Sequence, residues 1–176
     1  MLSIHEVICT YTIIFTFWYC SGIQEKNKQL YEIASYEILS ERKPVIVSDC
    51  KERGSNLVDG TDSEWWTESQ NACIEIDLQY PCFIKDVKIK WWGTSVSSNV
   101  IISALEPDRE YIHVRTSEDA IETPTDMNGW SRFDGWDIPT QKIKLELRDG
   151  CLDPWGMNKH FGIRQLIVGG RKVRQK

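Results

Sequence analysis

Tryptophan is the residue type that most strongly suggests a binding function, since eight occur among 176 residues. Trp92, Trp130 and Trp155 each stand beside a glycine or a proline, in segments with the composition of loops. An indole ring offers a flat apolar face and one N–H donor, which suits stacking on a sugar ring or anchoring an interface. We predict that these three side chains contact a ligand. The alternative is that each of them closes over the rim of the core.

The segment 153–160 is the most distinctive of these loops. It combines a tryptophan with the amide of Asn158, the cation of Lys159 and the titratable ring of His160. Mixed loops of this kind suit polar ligands. We therefore predict that Asn158 and His160 also contact the ligand, with His160 donating to a sugar hydroxyl or a carboxylate. A structural histidine with its hydrogen bonds satisfied inside the fold is the alternative.

Catalytic motifs are missing from the sequence, which has no HExxH, GxSxG, GxGxxG or phosphate-loop pattern. Residues 93–97 come nearest to a nucleophile elbow, but they lack its second glycine and have the composition of a loop. The formal net charge of -5 gives no basic face on which to expect nucleic acid. We predict a protein that is not an enzyme and does not bind nucleic acid.

The elements that must position these loops show a dominant period of two, which is typical of β-strands with one buried face. The alternating segments are residues 74–79, 87–91 and 142–148, and shorter apolar segments lie at 45–47, 100–102, 111–114 and 166–168. About seven short strands separated by turn residues predict an all-β antiparallel sandwich. Trp66 and Trp91 fall on the apolar side of the pattern, so we predict that both pack in the core.

The N-terminal segment has a different character. An apolar run at residues 7–19 is followed by the small residues Cys20, Ser21 and Gly22. The run is shorter than the roughly 20 residues that cross a bilayer, and its small-residue exit suits signal peptidase. We predict that residues 1–22 are a cleaved signal peptide, that the protein is secreted and extracellular, and that the mature chain has no transmembrane span. An uncleaved anchor or a buried strand are the alternatives, since no Lys or Arg precedes the run.

Removal of the signal would leave four of the six cysteines. They are Cys50, Cys73, Cys82 and Cys151. An even number suits disulfide bonds in an oxidising compartment. Three pairings are open, although Cys73 and Cys82 flank one predicted strand and would bridge each other poorly. Four buried free thiols are the alternative.

The ends of the mature chain carry weaker signals. Residues 23–42 form an N-terminal extension, in which the mixture of apolar and polar residues fits a short helix or an opening strand. A single domain is predicted for residues 43–170. Residues 171–176 form a basic tail, which more often solvates a chain end than binds a ligand.

Four segments in this order resemble the discoidin family, also called the coagulation factor 5/8 type C family. They are residues 56–66 with an Asp-Gly turn and a tryptophan pair, the strand at residues 73–78, residues 83–92, and the closing residues 161–170. The resemblance covers about residues 45–170. It implies a galactose-binding-like jelly-roll sandwich of about eight strands, without catalytic activity, that binds ligands through loops at one end.

The resemblance also implies a structural calcium ion near the Asp-Gly turn. Carried over by position, Asn56 and Thr61 would offer carbonyl oxygens and Asp59 its carboxylate. Glu64 stands where the family usually has Thr or Ser, and Gln165 stands where it usually has Glu. Hard oxygen ligands of this kind are what calcium requires. The alternative is that Asp59 only accepts hydrogen bonds within its own turn.

Two functions fit these observations. The first is a secreted binding module that recognises a carbohydrate, or another cell-surface or matrix ligand, through its loops. The second is a structural module that docks onto another secreted protein. A docking module should expose a contiguous apolar patch, whereas a carbohydrate site should combine one or two indoles with several polar side chains.

Overall fold

The computed structural model describes residues 31–33, 36–93, 95–105, 111–123, 129–152 and 159–175. The predicted signal peptide, residues 1–22, lies outside the described residues, and so do Trp155 and Asn158. No helix in the described part of the chain is long and apolar enough to cross a membrane.

Strands make up most of the described chain, and every recorded pairing between them is antiparallel. In chain order they are β1 Tyr31–Ile33, β2 Glu37–Ile38, β3 Val45–Val47, β4 Trp65–Thr67, β5 Asn71–Trp91, β6 Asn99–Leu105, β7 Tyr111–Thr116, β8 Trp130–Arg148, β9 Cys151–Leu152 and β10 Lys159–Gln175. Two 3₁₀ helices, Lys51–Val58 and Ser117–Asp119, lie between them.

The first half of the sheet consists of β3, β6, β7 and the paired segments 71–77 of β5 and 142–148 of β8. One row of side chains shows why these strands associate. Val47 lies opposite Ile74, Ile74 opposite Leu145, and Leu145 opposite Ile102. All four are buried, so the alternating pattern places one apolar residue from each strand on the same covered face.

The second half of the sheet consists of β2, β4, β10 and the segments 82–91 of β5 and 130–140 of β8. A second buried row crosses it, since Val168 lies opposite Val87 and Val87 opposite Phe133. β5 passes from the first half to the second at Gln79. That residue has a positive φ of 71°, and the pairing register with β8 shifts between Asp77 and Cys82.

The covered faces of both halves belong to one hydrophobic core, so the two halves pack face to face as a sandwich. This architecture confirms the predicted all-β fold and the predicted alternation in its main strands.

One core prediction is wrong. Trp91 is fully buried, but Trp66 is only half-buried and its neighbour Trp65 is the buried residue. Successive strand residues point to opposite faces, and the residue on the core face of β4 is Trp65.

The chain ends also differ from the predictions. Tyr31–Ile33 and Glu37–Ile38 are strands, so the predicted extension, residues 23–42, follows the strand alternative where it is described. β1 pairs with residues 173–175 of β10 in a small separate unit. Arg171 and Lys172 continue β10 beside β5 instead of beginning a solvated tail, because ladder pairing and an ion pair between Lys172 and Glu37 at 2.9 Å hold them there.

The predicted disulfides are absent among the three cysteines whose side chains are described. Cys50, Cys73 and Cys82 are free thiols, and the side chain of Cys151 lies outside the described residues. Cys82 faces the core, its thiol donates to Thr140 O at 3.3 Å, and burial raises the pKa of that thiol to about 12. Cys73 sits in the same strand, half-buried between charged neighbours. The structure therefore supports the free-thiol alternative for these positions.

Candidate functional site

Strand order gathers three of the predicted ligand contacts at one end of the second half of the sheet. Trp92 follows the last residue of β5, Trp130 is the first residue of β8, and His160 is the second residue of β10. Lys90 lies opposite Trp130, and Trp91 lies opposite Ile163. The three strands therefore begin or end side by side on one rim of the sheet. This rim is called the loop end below.

Trp130 lies among charged side chains. Its ring is half-buried, and the ammonium group of Lys90 lies 5.8 Å from the ring centroid. Lys90 Nζ also donates to Asp62 Oδ1 at 2.7 Å, and this hydrogen bond holds the pKa of the Asp62 carboxyl below its ordinary value. An aromatic face, a cation and an exposed carboxylate thus lie together, and these groups can stack on a sugar and exchange hydrogen bonds with its hydroxyls.

Trp92 is held closely against the last strand. Its backbone N–H donates to Gly162 O at 2.9 Å, and a Cβ placed on Gly162 would lie 2.8 Å from Trp92 Cε3. The Trp92 ring therefore covers the Gly162 backbone, which leaves no space for a side chain there. Ser95 completes the turn, because Gly162 N–H donates to Ser95 O at 3.1 Å. One face of Trp92 thus closes the rim of the sandwich, as the packing alternative proposed.

His160 is half-buried at the start of β10, opposite Cys151 of β9. This register places it at the loop end with the two tryptophans. Trp155 and Asn158, the other predicted contacts, belong to the segment 153–158 and lie outside the described residues. The structure therefore brings together Trp92, Trp130 and His160.

Sequence reasoning missed several polar residues that build the loop end. Ser97 Oγ donates to Arg148 O at 2.6 Å, Ser131 Oγ accepts the indole N–H of Trp91 at 2.8 Å, and both serines are buried. Ser97 belongs to the segment that most resembles a nucleophile elbow, but its hydroxyl is bonded to the backbone. The sequence shows only that Ser97 belongs to a serine-rich loop, and it does not show which backbone group the hydroxyl contacts. The ion pair between Lys90 and Asp62 leaves no local pattern in the sequence, since the two residues are 28 positions apart.

Asp49 is another residue that the sequence analysis does not single out, and it accepts three hydrogen bonds. Its Oδ2 accepts the Thr67 hydroxyl, its Oδ1 accepts the Cys50 N–H at 2.8 Å, and its carbonyl accepts the indole N–H of Trp65 at 3.1 Å. The hydrogen bonds from Thr67 and Cys50 lower the pKa of Asp49 from its ordinary 3.8. Asp49 thereby ties the end of β3 to β4.

No family model matches the sequence, and no curated protein matches it. Solved structures do match. A chitosan-binding module 1 from a chitosanase/glucanase of Paenibacillus sp. IK-5 has a TM-score of 0.61 at 16% identity, over 77% of this chain and 100% of that one. The family 32 carbohydrate-binding module of NanJ from C. perfringens, in complex with galactose, has a TM-score of 0.61 at 14% identity, over 77% and 99%. The chain has the galactose-binding-like jelly-roll fold.

A third module of this jelly-roll fold, CpGH89CBM32-4 from Clostridium perfringens in complex with GlcNAc-α-1,4-galactose, matches with a TM-score of 0.62 at 15% identity, over 78% of this chain and 96% of that one. The resemblance to the discoidin fold is confirmed at the level of architecture, because these carbohydrate-binding modules share the discoidin-like jelly roll.

The residues that the discoidin resemblance implies as calcium ligands include those of the Asp-Gly turn. Asp59 Oδ1 accepts the backbone N–H of Thr61 at 2.7 Å and its hydroxyl at 2.8 Å. Asn56 Nδ2 donates to Glu64 O at 3.0 Å. Gln165, on β10, lines a cavity of about 210 Å³. The other residues lining this cavity are Ile38, Ser40, Glu41, Val58, Gly60, Leu166 and Ile167.

The donors at this turn are of the type that calcium prefers, since they are carboxylate, amide and carbonyl oxygens. Asp59 Oδ2 and the carboxylate of Glu41, which has an oxygen near Gly60, are the charged candidates on either side of the turn. The described residues contain no group of three or more His, Cys, Asp or Glu side chains that could hold a metal. A calcium ion here would therefore depend on main-chain and amide oxygens as well as Asp59, with Gln165 contributing no charge.

Proposed function

We propose that this protein is a non-catalytic carbohydrate-binding module that recognises its glycan at the loop end. The observation that carries the proposal is the convergence of Trp92, Trp130 and His160, from three neighbouring strands, on one rim of the jelly roll. Flat aromatic faces combined with a few polar groups are the composition that sugar rings select.

The two tryptophans divide the work of binding. Trp130 supplies the open stacking face, and its neighbours Lys90 and Asp62 supply a donor and an acceptor for hydroxyl groups. Trp92 closes the rim against Gly162 and presents the remaining edge of its indole. His160 adds a ring that can donate or accept a hydrogen bond. Trp155 and Asn158 are proposed to complete the contacts from the adjoining segment.

The solved modules with this fold support the proposal, because they are described as binding chitosan, galactose or GlcNAc-α-1,4-galactose. The distribution of exposed apolar residues also favours a glycan over a docked protein. The large apolar side chains most exposed in the described chain are Tyr36, Ile38, Ile46 and Ile121. They lie on three separate segments of the chain, whereas a permanent interface would need one contiguous apolar patch.

A glycan array probed with the purified protein tests the proposal. We expect specific binding that decreases about tenfold or more in Trp130→Ala, because truncation of an aromatic anchor in a binding site typically costs about 2 kcal/mol. Phe83→Ala is the matched control, since Phe83 is also half-buried but lies opposite Arg171, near the other limit of the pairing between β5 and β10, and it should retain binding. A blank array, or equal losses in both variants, would contradict glycan binding at the loop end and favour a protein-docking module.

We also propose that calcium binds at the Asp59 turn and braces it, with Asn56, Thr61, Glu64 and Gln165 as the other oxygen donors. The ion would have a structural role, because a bound cation would hold these oxygens together and fix the loop before β4. Asp59 would provide the carboxylate that neutralises part of the charge.

Secretion is a further proposal, based on the apolar run at residues 7–19 and the small residues after it. The test is expression in eukaryotic cells followed by N-terminal sequencing of protein from the medium. A mature terminus near Ile23 is expected. Retention in the cells with residues 1–22 intact would contradict it.

A further inference from the structure

The outer face of the second half of the sheet carries a row of side chains that begins at Trp130. Trp130 of β8 lies opposite Lys90 of β5, and Lys90 lies opposite Gln165 of β10. All three are half-buried, whereas Ser131 and Ile89, the next residues in β8 and β5, are buried. The row therefore faces away from the core and crosses three neighbouring strands. It is called the outer row below.

The outer row is longer than the stacking face at its β8 end. Neighbouring strands lie about 5 Å apart, so β8 and β10 are separated by about 10 Å. A single pyranose ring stacked on the indole of Trp130 extends over Lys90 and ends there. Groups at the β10 end of the row are therefore within reach of a second sugar residue that is linked to the first.

An irregularity in β10 places an additional side chain at that end of the row. In the pairing with β5 the register shifts between Ile163 and Gln165, and Arg164 is the extra residue. Arg164 and Gln165 are both half-buried, while Ile163 and Leu166 on either side of them are buried. An extra strand residue of this kind redirects the local side chains. Two successive side chains of β10 thus point away from the core.

Arg164 lies close to the outer row and has donors that the fold does not use. The pKa of Asp62 is lowered first by its hydrogen bond with Lys90 and also by the positive charge of Arg164. Within the described part of the chain, the guanidinium of Arg164 has no hydrogen bond or ion pair, and its Nε–H is buried without an acceptor. A guanidinium carries five N–H donors, and leaving such donors unpaired is unfavourable.

Net charge does not select the ligand of the outer row. Glu64 immediately precedes β4, which pairs with β10 at Ile163, so its carboxylate belongs to the strand beside Arg164. Glu64 and Asp62 together offset the charges of Lys90 and Arg164. A balanced set of donors and acceptors suits the hydroxyl and acetamido groups of a neutral glycan. Because a guanidinium only donates, the group that it binds must be an acceptor oxygen.

We propose that the loop end binds an oligosaccharide of at least two sugar residues, with one ring stacked on Trp130 and an acceptor oxygen of the next ring bound by Arg164. Lys90 and Asp62 lie between these two positions and bind hydroxyl groups beside the glycosidic linkage. The inference rests on the proposed carbohydrate function and adds to it the length of the ligand and the residue that recognises the second ring.

The test is titration calorimetry of the full chain, in calcium, with each monosaccharide and its own disaccharide. One pair of probes is N-acetylglucosamine and N,N′-diacetylchitobiose, whose acetamido carbonyls are strong acceptors. The other pair is galactose and β-1,4-galactobiose, which offer hydroxyl and ether oxygens. The variant is Arg164→Gln. The matched control is Arg171→Gln, in the same strand but opposite Phe83, near the other limit of the pairing with β5. Thermal denaturation establishes that both variants are folded.

We expect at least one disaccharide to bind the unmodified protein about tenfold or more tightly than its monosaccharide, because the second ring adds a hydrogen bond to a charged donor. Arg164→Gln should remove most of this advantage and change the affinity for the monosaccharide less than about twofold, since the first ring does not contact Arg164. Arg171→Gln should bind all probes as the unmodified protein does.

Three results would overturn the two-ring site while leaving carbohydrate binding at Trp130 intact. They are equal affinities for monosaccharide and disaccharide in the unmodified protein, a disaccharide advantage that survives Arg164→Gln, and equal losses in the two arginine variants. Failure of the proposed function has a different signature. In that case no probe binds, or binding is unaffected by Trp130→Ala, and the two-ring site is contradicted with it.

Discussion

Adjacent residues in β4 have opposite roles, and the structure rather than the sequence assigns them. Trp65 is fully buried and its indole N–H reaches Asp49 O, whereas Trp66 is half-buried under the guanidinium of Arg53 at 5.6 Å from the ring centroid. A strand of three residues contains too little alternation to fix which of two neighbouring tryptophans faces the core.

The two tryptophans should therefore differ in their contribution to stability. Trp65→Ala is expected to lower the free energy of unfolding by about 3–5 kcal/mol, because it leaves a large cavity. Trp66→Ala is expected to lower it by about 1 kcal/mol, through loss of partial burial and the contact with Arg53. Urea denaturation of both variants measures these changes, and a larger loss in Trp66→Ala would contradict the assignment.

The side chain of Tyr36 is half-exposed, yet the pKa of its hydroxyl is strongly raised. Its O–H donates to Asp86 Oδ1 at 2.8 Å, and the Asp86 side chain is almost completely buried, 3.7 Å from both Lys88 and Arg132. Burial of the hydroxyl and then the hydrogen bond to Asp86 raise the pKa of Tyr36 to about 12.

This pKa predicts a loss of stability at high pH. The folded state holds the Tyr36 proton more tightly than the unfolded state, so its contribution is complete below the ordinary value of 10.0 and is lost as pH rises toward 12. Ultraviolet titration of tyrosinate in the native protein and in Tyr36→Phe should differ by one tyrosine that ionises near pH 12. A difference centred near pH 10 would show that the hydroxyl is not held as described.

Gly169 allows β10 to pack closely against both β2 and β5. It lies in β10 opposite Asp86 of β5 and Ile38 of β2. A Cβ built on Gly169 would overlap both the Tyr36 hydroxyl and Asp86 Oδ1. The absence of a side chain is therefore what allows the hydrogen bond between Tyr36 and Asp86 to lie against the backbone of β10.

Gly169→Ala should accordingly destabilise the fold by about 2 kcal/mol or more, because either the hydrogen bond or the strand pairing must move. The control is Gly54→Ala, where the nearest atom to an added Cβ is a Val47 methyl at 3.2 Å, and the cost should be smaller. Urea denaturation compares the two variants, and an equal or lower cost at Gly169 would count against the close packing at this crossing.

The turn before β4 carries the calcium proposal. Calcium about 100-fold above its Kd should raise the melting temperature by about 5 °C or more, because a ligand that binds only the folded state stabilises it by mass action. Asp59→Asn should abolish the rise, since it removes the carboxylate, while Asp62→Asn should preserve it. A melting temperature that is the same in calcium and in chelator would establish that Asp59 serves only the turn in which it accepts both bonds from Thr61.

At the scale of the whole molecule, the fold was accessible from sequence because period-two alternation reports directly which face of a strand is buried. The alternating segments 74–79 and 87–91 are predicted as separate strands, whereas the structure joins them into β5 through a bend at Gln79. A bend depends on backbone geometry that alternation does not encode. The pairing of Arg171 and Lys172 was missed because basic composition at a chain end looks like solvation, and strand pairing depends on a distant partner.

The candidate site was accessible only in part. Loop composition identified Trp92 and Trp130, but whether an indole covers the backbone, as Trp92 does over Gly162, depends on a contact between residues 70 positions apart. For the same reason, the sequence does not show whether Cys50, Cys73 and Cys82 are free or in disulfides. An even number of cysteines does not indicate which side chains are in contact. Contacts distant in sequence determine the site, and local patterns determine the strands.

The most direct test of carbohydrate binding at the loop end is a heteronuclear NMR titration that follows the indole N–H signals. The ligand is the best neutral glycan from the array, and single tryptophan substitutions assign the signals. We predict that saturation shifts the signals of Trp130 and Trp92 while those of Trp65 and Trp91, which are buried in the core, stay in place. No shift at saturating glycan, or a shift confined to Trp136, would contradict the proposed site.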